Sequence, residues 1–149
     1  MALKGLVGKL SEKIAGSLAG KPGRGPWQPA QGGYPRLMLM DADVLKDLQE
    51  TGGVFALWHN GVRPQWIGVA GADSLGQAFE VLQADSDIVL YDRNDGVFVA
   101  WAECGTENRS RVVAYLRAVL EPAIEQIPGD QALPQTPDEE PLEFPVPAD

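Results

Sequence analysis

The strongest constraint on how this chain folds is a pair of apolar runs, "VFALWH" at 54–59 and "RPQWIGVA" at 63–70, set on either side of Asn60-Gly61. Asn-Gly accepts the positive φ that a tight turn requires, and aromatic and β-branched residues suit a pleated surface, so the stretch predicts a β-hairpin. Its surroundings add elements in order. "RLMLM" predicts a short strand, and Asp41 then caps a helix through "ADVLKDLQE" that Gly52-Gly53 ends. "SLGQAFEVLQ" places Leu75, Ala78, Phe79 and Leu82 on one helical face. "DIVLYD" and "VFVAWAEC" read as a second hairpin around Asn94-Asp95-Gly96. "RSRVVAYLRAVLEPAIEQI" predicts a last helix whose stripe is Val112, Tyr115, Leu116, Val119 and Leu120, broken or kinked at Pro122. The expected fold class is α+β, with a small, mostly antiparallel sheet of two hairpins and flanking helices over residues 36–128.

A chain of 149 residues with 44% hydrophobic content suits one compact domain with a real core. No run approaches the roughly 18 to 20 apolar residues of a membrane span, so a soluble or peripheral protein is expected. The one cysteine, Cys104, excludes an internal disulfide and a multi-cysteine zinc site, and it reads as a small buried hydrophobe in a reducing cytoplasm. With one histidine as well, one chain cannot assemble a His/Cys metal cluster. No metal and no cofactor are expected.

Charge divides the chain. Residues 1–25 carry Lys4, Lys9, Lys13, Lys21 and Arg24 against Glu12, while 129–149 carry six acids and no base. The segment between them holds seven bases and fourteen acids. Such a body repels a phosphate backbone, which disfavours nucleic acid as a partner.

Within residues 1–20, Leu3, Leu6, Val7, Leu10, Ile14 and Leu18 recur at helical spacing with lysines opposite. This predicts an amphipathic basic helix, weakened by Gly5, Gly8 and Gly16, whose binding stripe runs through Leu3, Leu6, Leu10 and Ile14. Three docking surfaces stay open for it: its own domain, a protein partner, or an anionic membrane surface. Residues 21–35 are rich in Pro and Gly and read as a linker or a strap, with Trp27 and Tyr34 as anchors or as exposed binding residues. The acidic, proline-rich tail at 129–149 predicts disorder, and its "PLEFPVP" end suits a short linear motif.

Gly53-Val54-Phe55, a hairpin, Trp66-Ile67-Gly68, the "VFVAW" strand at 97–101 and a helix ending in Leu-Glu-Pro resemble the GIY-YIG nuclease domain over about 53–125. The resemblance implies phosphodiester cleavage with a tyrosine near the nucleophilic water, an arginine on the phosphate and a glutamate holding one divalent metal. It places Phe55 and Trp66 at the two tyrosines, Ala78 near the arginine and Val113 near the glutamate. None of these side chains supplies the needed group.

A displaced site would have to draw on Glu103, Glu107, Arg109 and Arg111 at the junction of the last strand and helix, with His59 as a general base. The alternative for these residues is a solvated loop and helix start, with Glu107 favourable at the helix N-terminus and His59 at a surface turn. "DRNDG" at 92–96 reads as a turn, since it falls short of a calcium loop.

The resulting expectation is a non-catalytic protein-interaction or scaffold module, with Phe55, Trp58, Trp66 and Trp101 forming a drier contact surface. A metal-dependent DNA endonuclease with a displaced site and a peripheral membrane adaptor are the alternatives.

Overall fold

The computed structural model describes residues 25–29, 32–60, 65–93, 95–131 and 140–147. The expected amphipathic helix at 1–20 lies outside these residues. Three strands, β1 (Gly53–His59), β2 (Gln65–Ala72) and β3 (Val97–Glu103), form an antiparallel sheet in the order β2-β1-β3. Four helices accompany them among the described residues: α1 (Ala42–Asp47), α2 (Leu75–Gln83), α3 (Ser86–Asp92) and α4 (Thr106–Leu120). The fold is α+β.

β1 is the central strand, and its near-continuous apolar run is what a strand covered on both faces requires. On one face Phe55, Leu57, Ile67, Val97 and Val99 meet Leu75, Phe79 and Leu82 of α2 and Ile88 of α3. On the other, Val54, Ala56, Val69, Ala100 and Ala102 meet Val112, Val113 and Leu116 of α4. Small residues dominate this second face, so α4 can lie close to the backbone of the sheet. Pairing slips between Leu57↔Gly68 and Trp58↔Trp66, leaving Ile67 as an extra residue on β2. The bulge sets Trp66 beside Trp58 while Ile67 enters the opposite core cluster.

Both outer edges of the sheet are covered by irregular chain. Along β3, Gln28 exchanges backbone bonds with Trp101, and Val99 N–H donates to the Pro35 carbonyl. Trp27 and Tyr34 in this segment are buried, which fits anchors of a strap. Along β2, Ala123, Ile124 and Gln131 donate to the carbonyls of Trp66, Ile67 and Gly71. Two edges that would otherwise template further strands are thereby satisfied.

Three sequence expectations are corrected. "DIVLYD" belongs to α3 and is no strand, so the second hairpin does not form. The side chain of Asp85 accepts from the N–H groups of Asp87 and Ile88, and this N-cap outweighs the strand preference of Ile88, Val89 and Tyr91. "RLMLM" contains a turn of 3-10 helix at Leu37–Leu39, because Leu37 and Met40, three apart, are the residues that face inward. The buried stripe of α4 is Arg109, Val112, Val113 and Leu116, whereas Val119 is 47% exposed.

The hairpin of β1 and β2 forms, with residues 60–64 between the strands instead of a two-residue turn. Asp41 caps α1 through Val44 N–H, and Ser74 caps α2 through Gln77 N–H. α4 stops before Pro122, with Glu121 as a left-handed C-cap.

Candidate functional site

The positions marked by the nuclease resemblance do not share a cleft. Phe55 and Ala78 are fully buried in the cluster between the sheet and α2, and Phe55 meets Phe79 edge-on at 5.2 Å. Val113 and Trp66 belong to the cluster on the opposite face. Phe55 is therefore corrected from a binding residue to a core residue, since the central strand is covered on both sides. The two motif glycines also have packing reasons. A side chain at Gly53 would strike the Ala102 carbonyl, and one at Gly68 would overlap Ile127.

Of the residues of a displaced site, His59 stands apart from the others. Glu103 pairs with Gly53 at one end of β1, and His59 stands at the other end, paired with Val97. Six residue steps at about 3.4 Å each separate them by roughly 20 Å. The His59 ring is buried, lies 5.5 Å from that of Tyr91, and its Nε2 is 3.3 Å from Gln65 Oε1. Glu103 and Glu107 are exposed.

Arg109 is buried and works as a clamp. Its Nε donates to the Cys104 carbonyl at 2.8 Å and its Nη1 pairs with Asp73, tying the start of α4 to the ends of β3 and β2. Arg111 donates from Nε to the Glu140 carbonyl at 2.9 Å. Burial pushes the Cys104 thiol up to about 11, with Glu107 adding to the shift and Arg109 opposing it, so the thiolate is scarce at neutral pH. Among the described residues no group of three His, Cys, Asp or Glu side chains is placed to hold a metal ion.

Two aromatic surfaces remain. Trp58, half-buried, lies 5.2 Å from Tyr34, 5.4 Å from Trp66 and 6.3 Å from Phe98 by ring centroids. Trp101 is also half-buried and lines an open groove of about 420 Å³ between the strap and α1. Pro29, Pro35, Leu39, Met40 and Val44 complete the apolar lining. Leu39 is 74% exposed there and Val44 39%.

The charged groups of the groove are engaged internally. Arg36 bonds both carboxylate oxygens of Asp92, at 3.1 and 2.9 Å, and Asp41 caps α1. The hydrogen bond raises Arg36 above its usual range, and the same bond holds Asp92 below the ordinary carboxylate value against the effect of burial. What the groove offers a ligand is thus an apolar floor and rim, the chemistry of protein contact.

No family model, curated protein or solved structure matches this chain.

Of the anticipated binding residues, the structure brings Trp58 and Trp66 together and sets Trp101 in the separate groove, while Leu3, Leu6, Leu10 and Ile14 lie outside the described residues. Sequence reading missed Leu39 and Val44. The available signal was the three-residue spacing of Leu37 and Met40, which turns Leu39 outward with no polar residue beside it to explain its place.

Proposed function

We propose that this chain is a non-catalytic protein-interaction or scaffold module on a GIY-YIG-like frame, and that its contact surface is the groove formed by Leu39, Val44 and Trp101. The observation that carries the proposal is Leu39, whose side chain stands 74% exposed at the rim of an apolar groove floored by a tryptophan. Tryptophan is enriched at interface hot spots, and apolar side chains around it serve to exclude water from the contact.

Two further points support the reading. The order is hairpin, two helices, strand, helix, which matches the frame the resemblance implies only with α3 as an added element, and the positions where it expects tyrosine, tyrosine, arginine and glutamate hold Phe55, Trp66, Ala78 and Val113. The acidic body disfavours nucleic acid, so the partner is taken to be a protein. The basic amphipathic segment at 1–20 is the second docking element in this account, and a reducing cytoplasm suits the lone thiol. No described helix is long and apolar enough to cross a membrane.

The test is paired capture from a native lysate with wild-type protein, Leu39→Asp and Val119→Asp, the last altering an exposed aliphatic residue on α4. A protein held by wild type and Val119→Asp but lost with Leu39→Asp is the expected result. Identical capture by all three would rule out the groove.

A further inference from the structure

The sequence motif that the groove leaves unused is "PLEFPVP", and the structure gives it a seat. Residues 140–147 cross α4 and end against the strap. Arg111 donates from Nε to the Glu140 carbonyl, and the Leu142 N–H donates to the Arg111 carbonyl at 3.1 Å. Phe144 is 5% exposed and meets Trp27 edge-on at 5.6 Å. The Trp27 indole donates from Nε1 to the Pro145 carbonyl at 2.8 Å. Leu142 and Phe144 turn inward, while Glu143 between them and Val146 beyond are exposed.

We propose that this seat is a binding site for an extended peptide of the pattern Leu-x-Phe-Pro, and that residues 140–147 are its detachable resident ligand. The seat recognises three features. Anchors two residues apart suit an extended backbone, the indole donor reads a carbonyl that a proline leaves exposed, and Arg111 holds the entering end. Prolines 141, 145 and 147 stiffen the peptide, so little entropy is lost when it binds.

The same contacts argue that the segment is a ligand and not a structural element. It forms no helix or strand. The larger core cluster contains none of its residues, and the smaller contains only Phe144, with Leu142 at its margin. Its removal leaves the core between the sheet and α2 untouched. This site is distinct from the groove proposed above, since Trp101 packs with the α2 side of the sheet and Trp27 with the α4 side.

A tethered ligand competes with a free one at an effective concentration in the millimolar range. A fluorescent peptide of residues 139–149 is therefore expected to bind full-length Phe144→Ala at least about tenfold more tightly than wild type, because the variant's own tail no longer fills the seat. A scrambled peptide should bind neither. Equal affinity for wild type and variant, or no saturable binding to a variant that still unfolds cooperatively, would overturn the proposal. A second measurement needs no substitution. In the wild-type chain the Trp27 indole proton should exchange at least tenfold faster than the amide protons of β1, since the ligand leaves without global unfolding. Exchange of that indole only at the rate of the core strands would equally overturn the proposal.

Discussion

Trp27 and Pro145 stand 118 residues apart in the chain and are joined by a 2.8 Å hydrogen bond from the indole Nε1 to the proline carbonyl. Trp27 itself is fully buried, with Phe144 against its ring and the Gln28 backbone bonded to the edge of β3. One side chain thus ties together the strap, the sheet edge and the last described segment. Trp27→Ala is expected to lower stability by about 3–5 kcal/mol, the usual cost of emptying a large aromatic site. Trp27→Phe keeps most of the packing and should cost about 1–3 kcal/mol, much of it from the carbonyl left without its donor. Urea unfolding of the two variants measures both values.

Gly76 lies in α2, where intrinsic propensity favours alanine by about 1 kcal/mol. A methyl group there would strike the Leu45 carbonyl and the Gln49 amide where α1 crosses α2. Gly76→Ala is therefore expected to destabilise by about 1–3 kcal/mol, as overpacking does, and thermal unfolding decides the sign.

How far such features could be read from the sequence depended on whether the signal was local. Asp41 and Ser74 announce their helices because a side-chain cap acts within three residues, and both bonds are present. The hairpin of β1 and β2 was legible from two apolar runs close together in the chain. α3 was misread because Ile88, Val89 and Tyr91 favour strands, while its decisive feature, the Asp85 cap, resembles an ordinary turn residue. The strap's pairing with β3 left no trace in sequence, since Gln28 bonds through its backbone alone to a residue 73 positions away. Of the candidate residues, Arg109 looked like an exposed helix-start cation, and only tertiary structure reveals the part-buried Cys104 carbonyl it satisfies.

Arg109→Ala tests that structural assignment. Loss of the guanidinium leaves the Cys104 carbonyl without its charged donor, whereas Asp73, 75% exposed, stays hydrated. The expected cost is about 1–3 kcal/mol in chemical denaturation.

Cys104 should react slowly. With its thiol pushed up to about 11, its thiolate fraction at pH 8 is roughly two orders of magnitude below that of an ordinary cysteine. Because a more basic thiolate is also more nucleophilic, a disulfide-exchange reagent should modify the native chain at least about tenfold more slowly than the urea-unfolded chain. Comparable rates would contradict the burial of this residue.

The Arg36–Asp92 pair gives an acid dependence. The bond from Arg36 lowers Asp92 in the folded state, so its stabilising contribution is complete above the unfolded carboxylate value and is lost as pH falls through the lower, folded one. The difference in melting temperature between wild type and Asp92→Asn should therefore hold steady from pH 7 to about 5 and shrink below about pH 4. A difference that does not change across this range would contradict the coupling.

The proposed function has no nuclease activity, and plasmid nicking with magnesium or manganese is its sharpest test. No conversion of supercoiled DNA by the purified chain is expected at any protein concentration. Cleavage by wild type that the Glu103→Ala/Glu107→Ala variant lacks would contradict it and place an acidic active site at the start of α4.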